Sequence, residues 1–310
     1  MKLLETSQEN TYIAMVEGAP MGMVYKKDGD WWHEYYEDGK ARLKKLEVRL
    51  REAPDQQISL TDPDARSMKC RGSGVVGYNV QTAVDTQHHL IVAHDVTNVG
   101  IDRRLLTPMA KQAKAILAPE PDQSLRAVAD QGYYRGEEIL ACDEAGIEAY
   151  VAKTDTSGKR LKGEFGRNQF RYIAEDDEYE CPADERMIYR FTRKEKGKQL
   201  RCYWPSACVR CSIRSQCTPS KYRRIYRWEH EATVEAAEAR LEAQPDAMRV
   251  RRATVEHPFG TLKAWMGHTH FLTKTLPNVR TEMSLHVLAY NLKRVMAIMG
   301  AQPLMAAMRV

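Results

Sequence analysis

The sequence lacks any apolar run as long as the ~18 residues that a membrane-spanning helix needs, because charge, Gly or Pro interrupts every apolar stretch earlier. It also lacks the apolar core of a secretion signal, since the N-terminus turns polar at Glu5. The cysteines number seven, and five of them lie between Cys181 and Cys217. An odd, clustered set argues against a disulfide scaffold and for a reducing compartment. A secreted, fibrous or membrane protein is therefore excluded, and the composition, with 43% hydrophobic residues, is that of a globular protein.

Positive charge is concentrated in one block of the chain. Twelve Lys or Arg residues and one acid, Glu195, lie between Arg190 and Arg227, whereas the net charge of the whole chain is +5. Such a block is typical of a surface that binds a polyanion, because each cation placed on a phosphate releases condensed counterions. The aromatic residues in or beside it are Tyr203, Trp204, Tyr222, Tyr226 and Trp228. Since aromatic rings on a basic surface can stack on bases, we predict nucleic-acid contact, with Arg223, Arg224 and Arg227 among the contact residues.

The order of predicted elements is typical of an α/β fold. Alternating residues at 76–84 and 90–97, joined by a turn at 85–88, predict a β-hairpin. The other predicted elements are helices at 34–52, 102–117, 136–145, 229–242 and 278–299, and strands at 57–62, 125–129 and 147–152. Hairpin strands followed by β-α-β units indicate a mixed sheet covered by helices. Residues 1 to about 30 show little periodicity and are expected to be loosely organised.

Changes in composition divide the chain into four predicted segments. They are residues 1–56, with one amphipathic helix; 57–152, the first part of an α/β core; 153–250, an insertion; and 251–310, the C-terminal helical part of the core. The insertion holds an acidic run, the clustered cysteines and the basic block. We expect it to lack an apolar core of its own, because its composition is so polar.

Two aspartates follow predicted strands. Asp62 ends the short strand near Ile58, and Asp130 ends the apolar strand 125–129. A carboxylate at the end of a buried strand is costly unless it binds a cation or has hydrogen-bond partners. At the same end of neighbouring strands, two such aspartates could share divalent cations, which prefer oxygen ligands. Taken singly, each aspartate could instead cap the turn that follows it.

A third carboxylate, Glu256, lies between two cations. Arg252 precedes it by four residues and Lys263 follows it by seven, and on a helix these spacings bring side chains to one face. Pro258 suits the first turn of a helix better than its interior, which favours a helix that begins near Glu256. We predict that the two cations hold phosphates beside the carboxylate; an ordinary ion-pair ladder is the alternative.

Four ordered motifs together resemble the DDE transposases of bacterial insertion sequences. They are Thr61-Asp62-Pro63-Asp64-Ala65-Arg66, Gly77-Tyr78-Asn79-Val80-Gln81-Thr82-Ala83-Val84-Asp85, Ala129-Asp130-Gln131-Gly132-Tyr133-Tyr134 and Val255-Glu256-His257-Pro258-Phe259-Gly260. The resemblance runs from about residue 58 to residue 299. It implies a ribonuclease H-like mixed sheet flanked by helices and interrupted by the cysteine-containing basic insertion.

The resemblance also implies a reaction and its metal ions. In that family two aspartates and one glutamate hold two divalent ions, Mg²⁺ or Mn²⁺, and the matching residues here are Asp62, Asp130 and Glu256. Asp64 and Asp85 remain alternatives to Asp62, although Asp85 falls in the predicted hairpin turn, where an aspartate is ordinary. One ion would activate a nucleophilic oxygen and the other would stabilise the leaving oxygen. The expected activity is strand cleavage and strand transfer at the ends of an insertion sequence.

Two departures from the family's pattern concern DNA recognition. Arg249 stands where the family often carries a tyrosine, and only about 57 residues precede the first motif, where relatives tend to have a helical DNA-binding region. The first interpretation is an active transposase of the bacterial cytoplasm and nucleoid that binds transposon-end and target DNA as a homodimer. The alternatives are a truncated, inactive remnant that only binds DNA and a metal-dependent nuclease without transposition activity.

The clustered cysteines have the spacing of a metal site. Cys208 and Cys211 form a CxxC, Cys217 follows, and Cys181 precedes them. Four thiolates could close a tetrahedral zinc site, and the resembling transposases often carry similar cysteines in an insertion. Cys202 is an alternative to Cys181, and reduced cysteines without a metal are an alternative to zinc.

Overall fold

The computed structural model describes residues 2–5, 11–16, 19–35, 37–53, 55–70, 73–117, 120, 123–153 and 163–309. The chain divides into two compact units. Unit 1 consists of Met1–Asp102 together with Thr254–Val310, and unit 2 consists of Arg103–Ala253. The predicted core segment 57–152 is thus shared between the units. Within the described ranges, no helix is long and apolar enough to cross a membrane.

Unit 1 begins with an antiparallel sheet. The elements of its first part are β1 (Lys2–Glu5), β2 (Thr11–Val16), β3 (Ala19–Lys27), β4 (Asp30–Tyr35) and α1 (Glu37–Glu52). Strands β1 to β4 pair in chain order, so the expectation of a loosely organised N-terminus is wrong. The turn between β3 and β4 is Asp28-Gly29, and both residues have positive φ, 54° and 90°. Such a pair matches the twist of a tight hairpin, and this local signal could have predicted the turn. The amphipathic helix is confirmed as α1.

The rest of unit 1 is a hairpin covered by helices. Its elements are β5 (Arg66–Cys70), β6 (Ser73–Gly77), β7 (Asn79–Val84), β8 (Ile91–Thr97), α6 (Ala247–Gly260, of which residues from Thr254 belong to this unit), α7 (Leu276–Met299) and α8 (Ala301–Ala307). The predicted hairpin is confirmed as β7–β8. The predicted strand at 57–62 is wrong: residues 57–60 form no strand, and Asp62 lies in a turn that the amide of Ala65 closes on its carbonyl oxygen (3.2 Å).

Helix α7 packs along the hairpin. Their shared core contains Ile91, Val96, Leu262, Val279, Met283, Val287 and Tyr290. Polar side chains of α7 also bind the strand backbone: Arg280 donates to the carbonyl of Val96 (2.8 Å), and Asn291 exchanges two hydrogen bonds with Ile91 (2.9 Å each). Because later residues of α7 meet earlier residues of β8, the helix runs antiparallel to β8 and parallel to β7.

The helix boundaries near Glu256 differ from the predicted ones. Pro258 lies inside α6 rather than in its first turn, and a π-helical turn, Thr261–Trp265, continues the helix. The missing N–H of a proline removes one helical hydrogen bond and its ring crowds the preceding turn, and the helix changes from α to π geometry three residues after Pro258. Helix α7 begins at Leu276 with Thr275 as its N-cap residue, two residues before the predicted start at Asn278.

Unit 2 has an α/β part. Its elements are α2 (Leu106–Leu117), β9 (Leu125–Ala129), α3 (Gly136–Glu144) and β10 (Ile147–Val151), with α5 (Glu231–Glu242) against α3 and β10. Strands β9 and β10 are parallel, as expected for a β-α-β unit. The core between these helices and strands is apolar and includes Leu106, Cys142 and Ile147. The predicted α/β class is therefore confirmed.

The insertion forms a five-stranded antiparallel sheet. Its elements are β11 (Arg171–Ile173), β12 (Glu178–Glu180), β13 (Arg186–Glu195), β14 (Lys198–Trp204), α4 (Arg214–Cys217) and β15 (Ile225–Trp228). Phe170, Tyr179, Met187, Tyr203 and Ile225 are buried together on one side of it. The expectation that this segment lacks a core is wrong, because four of the five strands, although polar, each contribute one large apolar side chain to the cluster.

The described strands form five separate sheets. The mixed sheet of a ribonuclease H-like core therefore stays a prediction, whereas the α/β composition of the chain is observed.

Candidate active site and DNA-binding surface

Asp62 is a buried residue with several hydrogen-bond donors around it. Only 9% of the residue is exposed. Its carboxylate accepts hydrogen bonds from the hydroxyl of Tyr78 (2.7 Å), the amide of Thr275 (3.2 Å) and the amide of Asp64 (3.2 Å). Asp64 in turn accepts from the amide of Leu276 (2.8 Å). The two aspartates thus satisfy amides at the N-terminus of α7, where negative charge is also favourable to the helix dipole.

These contacts set the protonation state of Asp62. Burial by itself would raise the pKa of Asp62, but the hydrogen bonds from Tyr78 and from the amides of Asp64, Thr275 and Ala65 outweigh burial and hold the pKa below its usual value. Conversely, burial and the adjacent Asp62 carboxylate raise the pKa of Tyr78. Asp62 is therefore an ionised group with protein partners on both oxygens. Its contacts are those of a capping aspartate, which is the alternative that the sequence left open.

Glu256 lies in the part of unit 1 where the hairpin tip meets α6. Its neighbour His257 stacks on His89 of the hairpin tip, with ring centroids 5.0 Å apart. The hydroxyl of Tyr290 donates to the carbonyl of His89 (2.6 Å) and accepts from Nδ1 of His257 (2.9 Å). Burial, His89 and Arg294 lower the pKa of His257, so the ring is neutral at pH 7. Sequence reasoning assigned His257 no role and did not consider Tyr290, because their contact joins residues far apart in the chain.

Two lengths, one along α7 and one along β7, show how far Asp62 lies from this hairpin tip. At the start of α7, Thr275 contacts Asp62, and further along the helix Tyr290 contacts His257. These two residues are fifteen positions apart, and fifteen residues of helix span about 22 Å. On β7, the Asp62 contact is at Tyr78 and the tip begins at Asp85; seven residues of strand span about 23 Å. Asp62 and the Glu256–His257 pair therefore lie at opposite ends of the hairpin.

Asp85 lies at the hairpin tip, on the same side of unit 1 as Glu256. The tip is closed by hydrogen bonds between Asp85 and the backbone of His89 (3.0 Å) and Leu90 (2.9 Å). The Asp85 carboxylate accepts from the amides of Gln87 (3.2 Å) and His88 (2.6 Å). Each carboxylate oxygen retains further lone pairs beyond these turn contacts.

The two cations predicted beside Glu256 are exposed, as is Glu256 itself. Among the described residues, neither Arg252 nor Lys263 forms an ion pair with Glu256, so the alternative of an ion-pair ladder is not realised. Lys263 lines an open cleft of about 780 Å³ in unit 1, together with Asp62, Lys274 and His270. Free cations on an open cleft are available to a polyanion.

Asp130 directly follows β9 in unit 2, as predicted. Its carboxylate accepts from the amide of Gly132 (3.4 Å) and thereby caps a short 3₁₀ turn at 131–133. The guanidinium of Arg251 approaches its other oxygen at 3.7 Å. About half of the Asp130 side chain, 49%, is exposed. Unlike Asp62, this carboxylate is open to solvent and to an incoming ligand.

Four of the clustered cysteines surround one small cavity in unit 2. Cys181, Cys208, Cys211 and Cys217 all line this cavity of about 20 Å³, which has room for about one water molecule. Cys202, the alternative to Cys181, is fully buried on the sheet and is not part of the lining. Burial raises the pKa of the Cys208 and Cys217 thiols, and the neighbouring thiols act in the same direction.

The predicted metal ligands are of the right chemical types, and four of the cysteines line one cavity. In the part of the chain that the structure describes, no group of three or more His, Cys, Asp or Glu side chains is placed so that it could hold a metal ion. This holds for the predicted carboxylates and for the cysteines. Magnesium and zinc binding therefore remain predictions for experiment.

The three arginines predicted to contact DNA have different environments. Arg227 is only 8% exposed; it pairs with Glu235 through both of its terminal nitrogens and stacks on Tyr172 at 3.6 Å. With its charge neutralised inside the protein, it is not available to phosphates, and this prediction is corrected. Arg223 is half-buried at the cysteine cavity. Arg224 alone is exposed.

Comparison with known protein families gives a match. The profile of a family described as "Transposase DDE domain" matches residues 48–292, which is most of the chain and includes all four sequence motifs. Searches among curated proteins and among solved structures gave no match. The chain therefore belongs to the family of transposases with a DDE domain.

Proposed function

We propose that this protein cleaves DNA strands at the ends of an insertion sequence and transfers them to target DNA. The observation that carries the proposal is the family match across residues 48–292. Dependence on a divalent ion belongs to the proposal, because DDE transposases generally use ions such as Mg²⁺. Action in the cytoplasm and as a homodimer, which lets one complex join two ends, completes it.

Asp130 and Glu256 are the two carboxylates that we propose for catalysis. Both follow the family's motifs, and both are accessible: Asp130 is half-exposed and Glu256 is exposed. Such groups can take up a cation at little cost, because they have few internal partners to give up. Their present contacts are few, with one amide and Arg251 for Asp130.

For the third carboxylate, the geometry of unit 1 favours Asp85 over Asp62 and Asp64. Carboxylates that act on ions only about 3.5–4 Å apart must lie close together. Asp85 is at the hairpin tip that contacts His257, next to Glu256, whereas Asp62 contacts the far end of α7. Asp62 and Asp64 also already hold the N-terminus of α7. We therefore propose Asp85 as the third catalytic carboxylate and a structural role for the other two.

Nicking of supercoiled plasmid carrying insertion-sequence ends, with and without Mg²⁺, tests this proposal. Asp130→Asn, Glu256→Gln and Asp85→Asn are each expected to reduce nicking by at least about 10²-fold, within the range ascribed to single catalytic groups. Glu144→Gln, which changes an exposed acid of unit 2 outside the basic block, is the matched control and should nick normally. Normal nicking by the Asp130→Asn variant would contradict the assignment, and products that are nicked but never joined would identify a nuclease.

DNA contact by exposed cations is part of the same proposal. Arg252, Lys263 and Arg224 are exposed and carry no ion pair to a described carboxylate, which supports their role at phosphates. Arg suits a bidentate grip on phosphate better than Lys does. Each substitution to alanine should weaken DNA binding at low salt and reduce the slope of log affinity against log salt by about one.

The competing function is that of an inactive remnant that only binds DNA. The uncompensated cations favour DNA binding under either function, so binding alone does not separate the two. The separation comes from the nicking assay: a wild-type chain that binds end DNA but never nicks it in Mg²⁺ or Mn²⁺ is the remnant.

A further inference from the structure

One face of the insertion sheet carries aromatic side chains that are exposed in part. Directly opposed residues of antiparallel strands share a sheet face. In β13, β14 and β15, Ile188 lies opposite Trp204, and both Phe191 and Tyr226 lie opposite Cys202. The face that these side chains share is called the aromatic face here. Phe191 is 37% exposed and Ile188 is 40% exposed.

Arginines lie over the rings of the aromatic face. The guanidinium carbons of Arg190 and Arg224 are 5.2 and 5.4 Å from the centroid of the Trp204 ring. Phe191 meets the same ring edge-on at 5.8 Å, and Tyr222 extends the cluster at 6.0 Å from Trp204. Such contacts hold both the rings and the cations in place before any ligand arrives.

The charge of the two arginines at Trp204 is not neutralised by the protein. Arg190 donates to the carbonyl of Trp204 (3.2 Å) and to the hydroxyl of Ser206 (2.8 Å), which are neutral partners. No carboxylate in the described ranges forms an ion pair with Arg190 or Arg224. Elsewhere in the insertion most arginines are paired with acids, as Arg171 is with Glu180 (2.6 Å). Trp204 and Tyr222 are half-buried and Phe191 is exposed. Uncompensated cations beside rings that are open in part are a combination that suits single-stranded nucleic acid.

We infer that the aromatic face binds an unpaired DNA strand, with bases stacked against Phe191 and Trp204 and phosphates bound by Arg190 and Arg224. The inference rests on the proposed function, which provides a DNA strand as the ligand. An unpaired strand is favoured over a duplex, because the bases of a duplex are stacked on one another and cannot reach rings on a sheet surface.

Fluorescence anisotropy of the full-length chain with a labelled strand tests the inference. The strand has about 16 nucleotides, the upper end of the usual site sizes for one such surface. It is compared with the matching duplex, both in EDTA, so that no cleavage takes place. Wild type should bind both, because the other cations of the chain can hold a duplex, but only the binding of the single strand should depend on Trp204. Trp204→Ala should weaken that binding about 5- to 150-fold, the value of one stacked base, and Trp204→Phe should restore most of it.

Two further variants separate stacking from charge and from general damage. Arg224→Ala should weaken binding and reduce the salt slope by about 0.7, the value for one phosphate of a single strand. Trp31→Ala removes an exposed tryptophan of unit 1 and should leave binding unchanged. Circular dichroism of Trp204→Phe confirms that the sheet is intact.

Three results would overturn the inference. They are equal losses of duplex and single-strand binding in Trp204→Ala, unchanged single-strand binding by Trp204→Ala, and equal losses in Trp204→Phe and Trp204→Ala. Because the assay contains no divalent ion, its outcome does not depend on nicking. A chain that nicks DNA but binds the single strand normally without Trp204 refutes this inference alone, and a chain that never nicks refutes only the proposed function.

Discussion

Replacing Asp62 with alanine is expected to destabilise unit 1 even when no divalent ion is present. The substitution removes the acceptor for Tyr78, Thr275 and Asp64. A buried donor that loses its partner costs about 1–3 kcal/mol, so two such donors, the Tyr78 hydroxyl and the Thr275 amide, give a loss of about 3 kcal/mol. For a unit of this size, that loss lowers the melting temperature by about 6–12 °C.

Asp64→Ala is the matched control for this prediction. It removes one contact, to the amide of Leu276, and should cost about 1 kcal/mol, like the loss of a helix cap. Differential scanning calorimetry in EDTA measures both variants. The reasoning is refuted if Asp62→Ala no longer nicks DNA and yet melts within about 2 °C of wild type. A loss of about 1 kcal/mol in the free energy of unfolding would already shift the melting temperature by more than that. That result would assign Asp62 to catalysis.

The pH dependence provides an independent check on Asp62. Its pKa is lowered in the folded protein, so its stabilising effect is fully present above the unfolded value of about 3.9 and disappears as the pH falls through the folded value. The difference in melting temperature between wild type and Asp62→Ala should therefore be constant from neutral pH to about pH 5 and should shrink below about pH 4. A difference that vanishes at neutral pH would contradict the hydrogen bonds described for Asp62.

The remaining predictions concern unit 2. Arg227→Ala should lower the free energy of unfolding by about 2–3 kcal/mol, because a charged hydrogen-bond pair with the half-exposed Glu235 and a ring contact are lost. It should leave the salt slope of DNA binding unchanged. A reduced slope would show that Arg227 contacts DNA after all. Elemental analysis of protein purified without chelator should find about one zinc per chain and markedly less in Cys208→Ser, as for a four-thiolate site; a wild-type chain without zinc would contradict the metal prediction. Removal of zinc should leave the β-sheet signal of circular dichroism largely intact, since the insertion has an apolar core around Met187.

The elements that sequence could predict are those whose signal is local. The hairpin β7–β8, helix α1 and the parallel pair β9–β10 follow from the alternation or period of their own residues. The insertion sheet was missed because its strands are mostly charged; in β13 Met187 alone is buried, and its core partners come from other strands. The N-terminal sheet was missed although Asp28-Gly29 marks one of its turns.

The site was only partly predictable, for a related reason. Motifs identify which carboxylates matter, and Asp130 indeed directly follows its strand. The role of a carboxylate depends on partners far away in the chain. Asp62 contacts Thr275, 213 positions later, and no local sequence pattern predicts that contact. The same limit applies to Arg227, which has the sequence context of a DNA-binding residue but is occupied by Glu235 from the next helix.

The hydrogen bond between Asp62 and the amide of Thr275, at the start of α7, joins two parts of the chain that the ribosome makes at different times. At about 5–20 residues per second, roughly 10–40 s of synthesis separate Asp62 from Thr275, its partner 213 positions later. During that interval the whole of unit 2 is synthesised, and the hairpin has no helix to cover Ile91 and Val96. The nascent hairpin therefore exposes apolar surface until α7 is made, and transiently exposed apolar surface of this kind is prone to aggregation.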